Sequence, residues 1–392
     1  MPALHPLPHD APVSGTGAGR RAAVLFSAHP WQGNPYGLHH IARALAGQGR
    51  PVLFVEPPFS PLHLLANRRR GRQFSRSLRQ SGVENILLFS PFSLLPYVKL
   101  PLLGSKLGLA LWPKFALNSF ASSVRGTQFE RPGVAISGAA LFSQFIFALD
   151  AEFRGFRLAD YDMLFDTVPE SLRVQTRSEL KRYDAVFAST AILAQAARAA
   201  GARQVVSMPN GFEGSGFRGD FVVPNDLARL PSPRIVYVGA MEKWFDWNAL
   251  TYAAAALPNA SFVIIGDSGS EPRPLPRNVH MLGLRPHSKV GAYLRNCDIG
   301  IIPFKFDPNP DAMRAIDPIK LWEYLASGLP VIASSQLALP ACPGAVEQYS
   351  SDTEFAAMLK SMLANGKPAV MPNISDRSWP RIVEAAFHEA GI

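Results

Sequence analysis

Short apolar runs alternate with helix-forming segments in the C-terminal half of the sequence, and this alternation constrains the fold more than any other feature. Each predicted strand is a continuous apolar run, which is typical of a parallel sheet covered by helices on both faces. The predicted strands are Ile235–Val238, Phe262–Ile265, Val279–Leu282, Ile299–Pro303 and Val331–Ala333. Helical segments at Trp247–Ala256 and Ser288–Asn296 supply the crossovers that parallel strands require. We therefore predict a doubly wound α/β domain in this half.

The N-terminal half contains the same pattern in a less regular form. Strand Ala22–Ser27, helix Gly37–Gly47 and strand Pro51–Val55 form a predicted βαβ unit. Further predicted elements are Met163–Phe165, Ser171–Arg182, Ala185–Ala188, Ala191–Ala200 and Gln204–Met208. The predicted fold class is thus α/β, with two doubly wound, Rossmann-like parallel-sheet domains that face each other across a cleft. Ligands of this fold class bind beyond the carboxyl ends of the strands.

The composition of the 392-residue chain indicates where its domains begin and end. Residues 1–20 are rich in Pro, Gly and Ala and contain no apolar segment of the signal-peptide type, so we expect a disordered tail. The loose, Gly- and Pro-containing stretch 212–233 separates the two alternating patterns. We predict a first domain over residues 21–212, a second over 213–375, and a C-terminal helix over 376–392.

One helix of the second domain has both of its ends encoded in the sequence. Asp317 is a predicted N-cap, Pro318 suits the first helical position, and Gly328 suits the left-handed residue after the last turn. A helix N-terminus attracts phosphate through its backbone N–H groups and its partial positive charge. Lys320 and Glu323 lie three residues apart and share one face. A cation and a carboxylate in this arrangement suit the diphosphate and the ribose hydroxyls of a nucleotide.

The formal charge of +9 is unevenly distributed. The segment from Arg68 to Arg131 has 11 basic residues and two acidic ones, interleaved with Leu, Phe, Tyr and Trp. This composition favours docking on an anionic membrane surface through residues 68–131, although a solvated basic loop is an alternative. Basic surface also attracts nucleic acid, but no nucleic-acid-binding motif is present, so no such partner is expected.

The two cysteines indicate a reducing compartment, and the lack of a long apolar stretch favours peripheral attachment to a membrane over a membrane-spanning segment. Cys297 and Cys342 show no metal-ligand spacing, and we expect buried thiols with no disulfide and no zinc. The longest uncharged stretch, Pro132–Leu149, is interrupted by polar residues and is shorter than a typical membrane span. It is predicted to form strand Val134–Ser137 and a buried helix around Leu141–Leu149.

The second half of the sequence resembles the glycosyltransferases of the GT-B fold, especially the family 4-like group. The segments that carry the resemblance are Met208–Phe212, Ile235–Ala240, Asn278–Gly283, Tyr293–Phe304 and Ile316–Pro330. The N-terminal half matches more loosely, through its βαβ unit and through Tyr161–Asp166. The combination is similar to bacterial polysaccharide glycosyltransferases of the glucuronosyltransferase and teichuronic-acid types. Ser378-Trp379 fits the start of a final helix that crosses back to the first domain in such chains.

The resemblance implies that the second domain binds a nucleotide-sugar donor and the first domain binds the acceptor. It assigns Lys320, with its neighbour Leu321, to the diphosphate and Glu323 to the ribose hydroxyls. Gly239 would allow the backbone to approach the phosphates. Met241 would line the donor pocket, and the loop around Leu282 would face the base. Relatives often carry an acidic residue seven positions before Glu323, but Ile316 stands there in this sequence.

The first domain contains candidate catalytic residues, but the sequence does not distinguish an inverting from a retaining mechanism. Asp166 occupies the position that resembles the general base of an inverting glucuronosyltransferase, with helix capping as the alternative role. Asp162 and His29 are the next candidates for the base. A retaining enzyme would need no base and would use electrostatic stabilisation of the leaving diphosphate. His29, Trp31 and Asn34 follow the first strand and are candidates for acceptor contacts. Asp160 and Asp162 have Asp-x-Asp spacing but lie in the wrong domain for a metal–diphosphate site, so no metal and no cofactor are expected.

The resulting prediction is a metal-independent glycosyltransferase at the cytoplasmic face of the plasma membrane, attached peripherally. Its donor would be a UDP- or GDP-linked sugar, and its acceptor a lipid-linked saccharide or another polysaccharide precursor. Two alternatives stay open at this point. One is a UDP-sugar 2-epimerase on the same scaffold, and the other is a non-catalytic nucleotide- or carbohydrate-binding protein.

Overall fold

A computed structural model describes most of the chain and shows two sheets built mainly from parallel strands. It describes residues 21–33, 35–60, 78–93, 116, 119–159, 170–217, 219, 221–267, 274–305, 310–340, 342–368 and 370–392. The strands of the first sheet are β1 (Ala23–Phe26), β2 (Val52–Val55), β3 (Arg79–Gln80), β4 (Ile86–Phe89), β5 (Val134–Ser137), β6 (Phe153–Leu158), β7 (Ala185–Ala188) and β8 (Val205–Ser207). Their order is β3-β4-β2-β1-β5-β6-β7-β8, and β3 alone of these pairs antiparallel.

The second sheet is parallel throughout its described strands. These are β9 (Arg234–Val238), β10 (Ser261–Ile265), β11 (Val279–Gly283), β12 (Ile299–Ile302), β13 (Val331–Ser334) and β14 (Val346–Tyr349), in the order β11-β10-β9-β12-β13-β14. In both sheets the order reverses beside the first strand, between β1 and β5 and between β9 and β12. Such reversals are the points at which doubly wound sheets open a crevice. The predicted fold class is confirmed.

Helices cover both faces of each sheet. The described ones are α1 (Gly37–Gly47), α2 (Ser143–Ala148), α3 (Glu170–Glu179), α4 (Ala191–Ala199), α5 (Asn225–Ala228), α6 (Trp247–Ala256), α7 (His287–Arg295), α8 (Pro310–Arg314), α9 (Ile319–Ala326), α10 (Asp352–Asn365) and α11 (Trp379–Ala390). In α1, buried Leu38, Ile41 and Leu45 recur at helical spacing and face the sheet. None of the described helices is long and apolar enough to cross a membrane.

The final helix α11 packs against the first sheet, although the chain reaches it from the second. Its residues Trp379, Val383 and Phe387 are buried in one apolar cluster with Leu25 and Ile41 of the first domain. The helix has the continuous apolar stripe that such packing requires. The chain therefore crosses between the two domains twice, once near residue 210 and again near residue 377.

The largest departure from the sequence-based elements is in the first sheet. Strand β6 (Phe153–Leu158) was not predicted, because Arg154 and Arg157 interrupt the apolar run that identifies a buried strand. The predicted strand Met163–Phe165 lies outside the described residues, as does much of the basic segment 68–131. Within that segment, Leu88 and Phe89 were expected on a membrane-docking surface but are buried in strand β4, because they pack in the core of the first domain. Elements α1, α6, β5 and β7 have the predicted bounds, because local patterning alone determines them.

Candidate active site

A cavity of about 490 Å³ lies between the two sheets, at the carboxyl ends of their central strands. The first domain contributes residues that follow β1 and β5, and the second contributes residues that follow β9 and β10. Its lining includes Ser27, His29, Tyr36, Gly138 and Ala139 from the first domain and Gly239, Gly266, Arg285, His287, Lys320 and Glu323 from the second. The cavity therefore lies at the reversal points of both sheets, where ligand sites are expected.

Lys320, in the first turn of α9, is a cation held in an aromatic setting. Its Nζ donates a hydrogen bond to the Tyr237 hydroxyl at 2.8 Å. The same atom lies 4.1 Å from the ring centroid of Tyr237 and 5.1 Å from that of Phe304. Burial lowers the pKa of Lys320 to about 7, and the nearby Glu323 only partly opposes this shift. The ammonium therefore has little protein counter-charge, and an anionic ligand would supply it.

Two glycines make room for Lys320 and for close approach of the backbone. Gly239 has a φ of +143°, and a Cβ atom there would lie 2.6 Å from Lys320 Nζ. Gly266 has a φ of +148°, and its Cβ would lie 1.9 Å from the carbonyl oxygen of Gly239. Side chains are excluded at both positions by backbone conformation and by space. At the ends of β9 and β10, the backbone is therefore not covered by side chains and is accessible to a ligand beside the Lys320 ammonium.

Glu323 lies one turn after Lys320 on α9 and is almost fully buried. Its Oε1 accepts a hydrogen bond from His287 Nε2 at 2.7 Å. This hydrogen bond raises the pKa of His287 above its ordinary value, because a carboxylate stabilises the protonated imidazole. The sequence placed Lys320 and Glu323 on one face, and both line the cavity.

A buried relay of polar side chains connects the two domains at the base of the cavity. Arg157 of β6 donates from Nη2 to Asn210 Oδ1 at 2.9 Å, and it also donates to the carbonyl of Met208. Asn210 in turn donates from Nδ2 to the carbonyl of Asp317 at 2.8 Å. The Asn210 backbone N–H donates to Asp317 Oδ2 at 2.6 Å. These contacts tie β6 of the first domain to the residues that begin α9.

The relay corrects the predicted helix cap. Helix α9 begins at Ile319, Pro318 is its cap residue, and no side chain caps it. The carboxylate of Asp317 is turned instead toward Asn210 and accepts a further, longer hydrogen bond from Trp322 Nε1 at 3.4 Å. Burial raises the pKa of Asp317 above its usual range, and the Asn210 backbone donor opposes that shift. Gly328 does adopt the predicted left-handed conformation, with φ of +73°.

The acceptor-side candidates that follow β1 have different positions. The rings of His29 and Tyr36 are stacked, with centroids 3.6 Å apart and planes within 10°, and both line the cavity. Trp31 does not line it, because its ring packs on Phe54 and its backbone N–H donates to Glu56. The neighbouring His39 is also structural: it accepts from the Tyr36 N–H and donates to the Pro30 carbonyl. Burial lowers the pKa of His39 to about 4, which keeps the ring neutral.

The remaining candidates divide between the core and the part of the chain that is not described. Met241 and Leu321 have no exposed surface and pack in the core of the second domain. Leu282 is partly buried against that core, and the exposed Leu284 lines the cavity in its place. Asn34 and Asp166 lie outside the described residues, as do Asp160 and Asp162. Within the described ranges, no group of three or more His, Cys, Asp or Glu could hold a metal ion.

Several cavity residues were not predicted, and only some of them left a signal in the sequence. Asn210 stands within the quoted segment Met208–Phe212, but its partners Arg157 and Asp317 are 53 and 107 residues away. His287 and Arg285 follow β11 without any motif. Arg285 is held by Asp226 at 2.6 Å and by the Tyr293 hydroxyl at 2.9 Å. These contacts arise from tertiary structure alone.

Comparison with known sequences finds a family match that lies within the second domain. Residues 232–365 match the family model described as glycosyl transferases group 1. The chain is also 29% identical over 145 residues to the putative teichuronic acid biosynthesis glycosyltransferase TuaH of Bacillus subtilis (strain 168). That match covers 35% of this chain and 36% of the relative, so it spans little more than a third of either protein.

Comparison with solved structures extends over nearly the whole chain and concerns the fold. Sucrose-phosphate synthase (tll1590) from Thermosynechococcus elongatus is 16% identical with a TM-score of 0.64, over 95% of this chain and 94% of that one. Anabaena Alr3699/HepE, solved in complex with UDP-glucose, is 14% identical with a TM-score of 0.57, over 94% of each chain. The predicted resemblance to the GT-B glycosyltransferases is confirmed.

The relay predicts a specific sensitivity at Asn210. Asn210→Asp replaces the Nδ2 donor with an oxygen that faces the Asp317 carbonyl. It also adds a negative charge near the Asp317 carboxylate, which the Arg157 guanidinium offsets only in part. We expect the free energy of unfolding to fall by about 2–4 kcal/mol, measured by urea denaturation.

The matched control is Asn248→Asp, the same chemical change at an exposed position in the first turn of α6. A negative charge there is favourable near a helix N-terminus, so stability should be unchanged or slightly higher. Equal losses in the two variants would contradict the role assigned to the relay.

Proposed function

We propose that the protein is a glycosyltransferase that moves a sugar from a UDP- or GDP-linked donor to a lipid-linked saccharide or polysaccharide precursor without a metal ion. One observation carries this proposal. The Lys320 ammonium lies beside the bare backbone of Gly239, and Glu323 follows one turn later in the same cavity. A cation next to glycine backbone suits a diphosphate, and a carboxylate at that spacing suits ribose hydroxyls.

The chemistry assigned to the donor side is electrostatic. Transfer of the sugar breaks the bond between its anomeric carbon and the diphosphate oxygen, and negative charge develops on that oxygen. Lys320 would stabilise this charge from a position that is fixed before the reaction. Because its ammonium already lies among aromatic rings, it needs little reorganisation when the ligand arrives. The donor therefore binds to the second domain, and its sugar faces the first.

Two of the similar proteins are consistent with this division. HepE was solved in complex with UDP-glucose, with UDP and glucose, and with UDP. TuaH is described as a teichuronic acid biosynthesis enzyme, which supports a polysaccharide precursor as acceptor. For this chain, both the uridine nucleotide and the acceptor class are parts of the proposal.

The proposal assigns the acceptor's general base to Asp166, as the sequence suggested. In an inverting transfer, this carboxylate would remove the hydroxyl proton as the acceptor oxygen attacks the anomeric carbon. His29 is the alternative base, because it lines the cavity and desolvation lowers its pKa, which favours the neutral imidazole.

Asp166→Asn should reduce transfer by roughly 100-fold or more and leave UDP affinity unchanged. Release of UDP from a nucleotide sugar in the presence of lipid-linked saccharides measures transfer, and near-normal turnover would exclude Asp166.

The proposal also includes attachment to an anionic membrane through residues 68–131. Replacing Arg68, Arg69 and Arg70 with Gln removes about 3 kcal/mol of attraction to an acidic surface at roughly 1 kcal/mol per charge. Co-sedimentation with vesicles that contain phosphatidylglycerol should therefore fall in this variant. Replacing the exposed Arg177, Arg198 and Arg203 removes the same charge elsewhere and serves as the control. Equal association of the two variants would exclude docking through this segment.

Lys320 provides the sharpest test of the donor site. With a pKa of about 7, its amine is mostly neutral at pH 8 in the free protein. A bound diphosphate stabilises the charged form and raises that pKa, so binding should take up close to one proton at roughly pH 8. Isothermal titration of UDP in buffers of different ionisation enthalpy measures this uptake. Lys320→Ala should abolish it and weaken UDP binding by roughly 10- to 100-fold.

The matched control is Lys289→Ala, which removes the same charge from an exposed position on α7. It should retain both the affinity for UDP and the proton uptake. If neither UDP nor GDP binds to the wild-type protein, the proposed function is wrong.

A further inference from the structure

Glu323 is a buried carboxylate inside the cavity, with 6% of its surface exposed. Burying a carboxylate costs free energy unless a hydrogen-bond donor compensates for the lost water. The donor is His287 Nε2, 2.7 Å from Oε1. We propose that His287 is a positioning residue that fixes the Glu323 carboxylate for recognition of the vicinal hydroxyls of a ribose. This inference rests on the proposed function, because it takes Glu323 as the ribose ligand.

The ring of His287 is itself held in place. It begins α7, and the Phe217 ring packs edge-on against it with centroids 5.6 Å apart and planes at 69°. Phe217 is buried in the core of the second domain. His287 and Glu323 come from different helices, so their contact also fixes the start of α7 against α9. The imidazole therefore has a rigid support, as a group that orients another side chain requires.

The charges around the pair favour an ionic hydrogen bond. The hydrogen bond to Glu323 is the main cause of the raised pKa of His287, and Glu213 raises it further. Burial of the ring and, to a smaller extent, Arg43 oppose the shift. Glu323 also raises the pKa of Lys320 against the lowering by burial, because its negative charge stabilises the ammonium. Hydrogen bonds between an imidazolium and a carboxylate are shorter and stronger than neutral ones. The orientation of the carboxylate is thus set before any ligand enters.

The hydrogen bond to His287 engages one carboxylate oxygen of Glu323 and leaves the other oxygen, Oε2, for a ligand. Oε1 is engaged, and within the described part of the chain no protein donor reaches Oε2. A carboxylate has about four acceptor positions on its two oxygens. The 2′- and 3′-hydroxyls of ribose are donors on adjacent carbons, and a carboxylate of fixed orientation can accept from both. A ligand without these hydroxyls gains nothing from the fixed orientation.

The test measures the binding of two ligands to three single variants and one double variant of His287 and Glu323. His287→Phe keeps an aromatic ring and removes the N–H donor. His287→Gln loses the ring but keeps an N–H donor in its side-chain amide. In His287→Phe, UDP affinity should fall about tenfold, and affinity for 2′,3′-dideoxy-UDP should change by less than about twofold. His287→Gln should recover part of the loss. In a Glu323→Gln background, His287→Phe should have little further effect on UDP, as a double-mutant cycle would reveal.

The outcomes separate this inference from the proposed function. If the wild-type protein binds neither UDP nor GDP, the proposed function fails, and the inference fails with it. If it binds GDP and not UDP, the same comparison is made with GDP and 2′,3′-dideoxy-GDP. If the wild type binds UDP but His287→Phe weakens both ligands equally, the role of His287 is general and the positioning role is wrong. Additive losses in the double variant would also overturn it. The dideoxy compound and His287→Gln keep the test decisive if His287→Phe is poorly folded.

Discussion

The cleft depends on one buried interaction, the relay from Arg157 through Asn210 to Asp317. Each sheet has its own core, but a site shared between the two sheets requires that the two domains keep a fixed position relative to each other. The relay supplies it at the point where the chain first crosses, and Asn210 and Arg157 are 8% and 2% exposed. Hydrogen bonds that involve a charged group contribute about 1.5–3 kcal/mol, and leaving a buried partner unpaired costs a similar amount. The relay therefore resists a change in the angle between β6 and α9 more than an apolar contact would.

The same relay explains why Lys320 can remain poorly compensated. Helix α9 starts immediately after Asp317, so the position of its first turn is set from the other domain. Lys320 then need not form an ion pair to be ordered, since the rings of Tyr237 and Phe304 hold its ammonium. Functional sites commonly carry such locally unfavourable electrostatics, and the surrounding structure compensates for them. Under the proposed function, a bound diphosphate would offset the cost of burying the cation.

The sequence predicted the fold well because the fold is encoded locally. Strands β5 and β7 are apolar runs between breakers, and α1 and α6 have clear helical spacing, so their bounds needed no tertiary information. Strand β6 failed this criterion because it contains Arg157, whose burial is compensated by hydrogen bonds to Asn210 and to two backbone carbonyls. Asp317 has the residue type of a helix cap, but the distant Asn210 N–H competes for its carboxylate. His287 and Glu323 likewise meet only in the folded chain. Local sequence thus predicted Lys320 and Glu323, and tertiary contacts determined how each is held.

The two sides of the cavity differ in how firmly their groups are held, and this difference bears on specificity. On the second-domain side, Lys320, Glu323 and Arg285 each have a hydrogen-bonded partner within that domain. On the first-domain side, Arg157 is held by the relay, and the lining also includes small residues after β1 and β5 and the stacked rings of His29 and Tyr36, the latter 47% exposed. Rigid charged groups discriminate strongly, because a ligand without the matching group leaves them unpaired. An exposed aromatic face tolerates more variation. Under the proposed function, this difference would favour strict recognition of the ligand of the second domain and looser recognition of the ligand of the first.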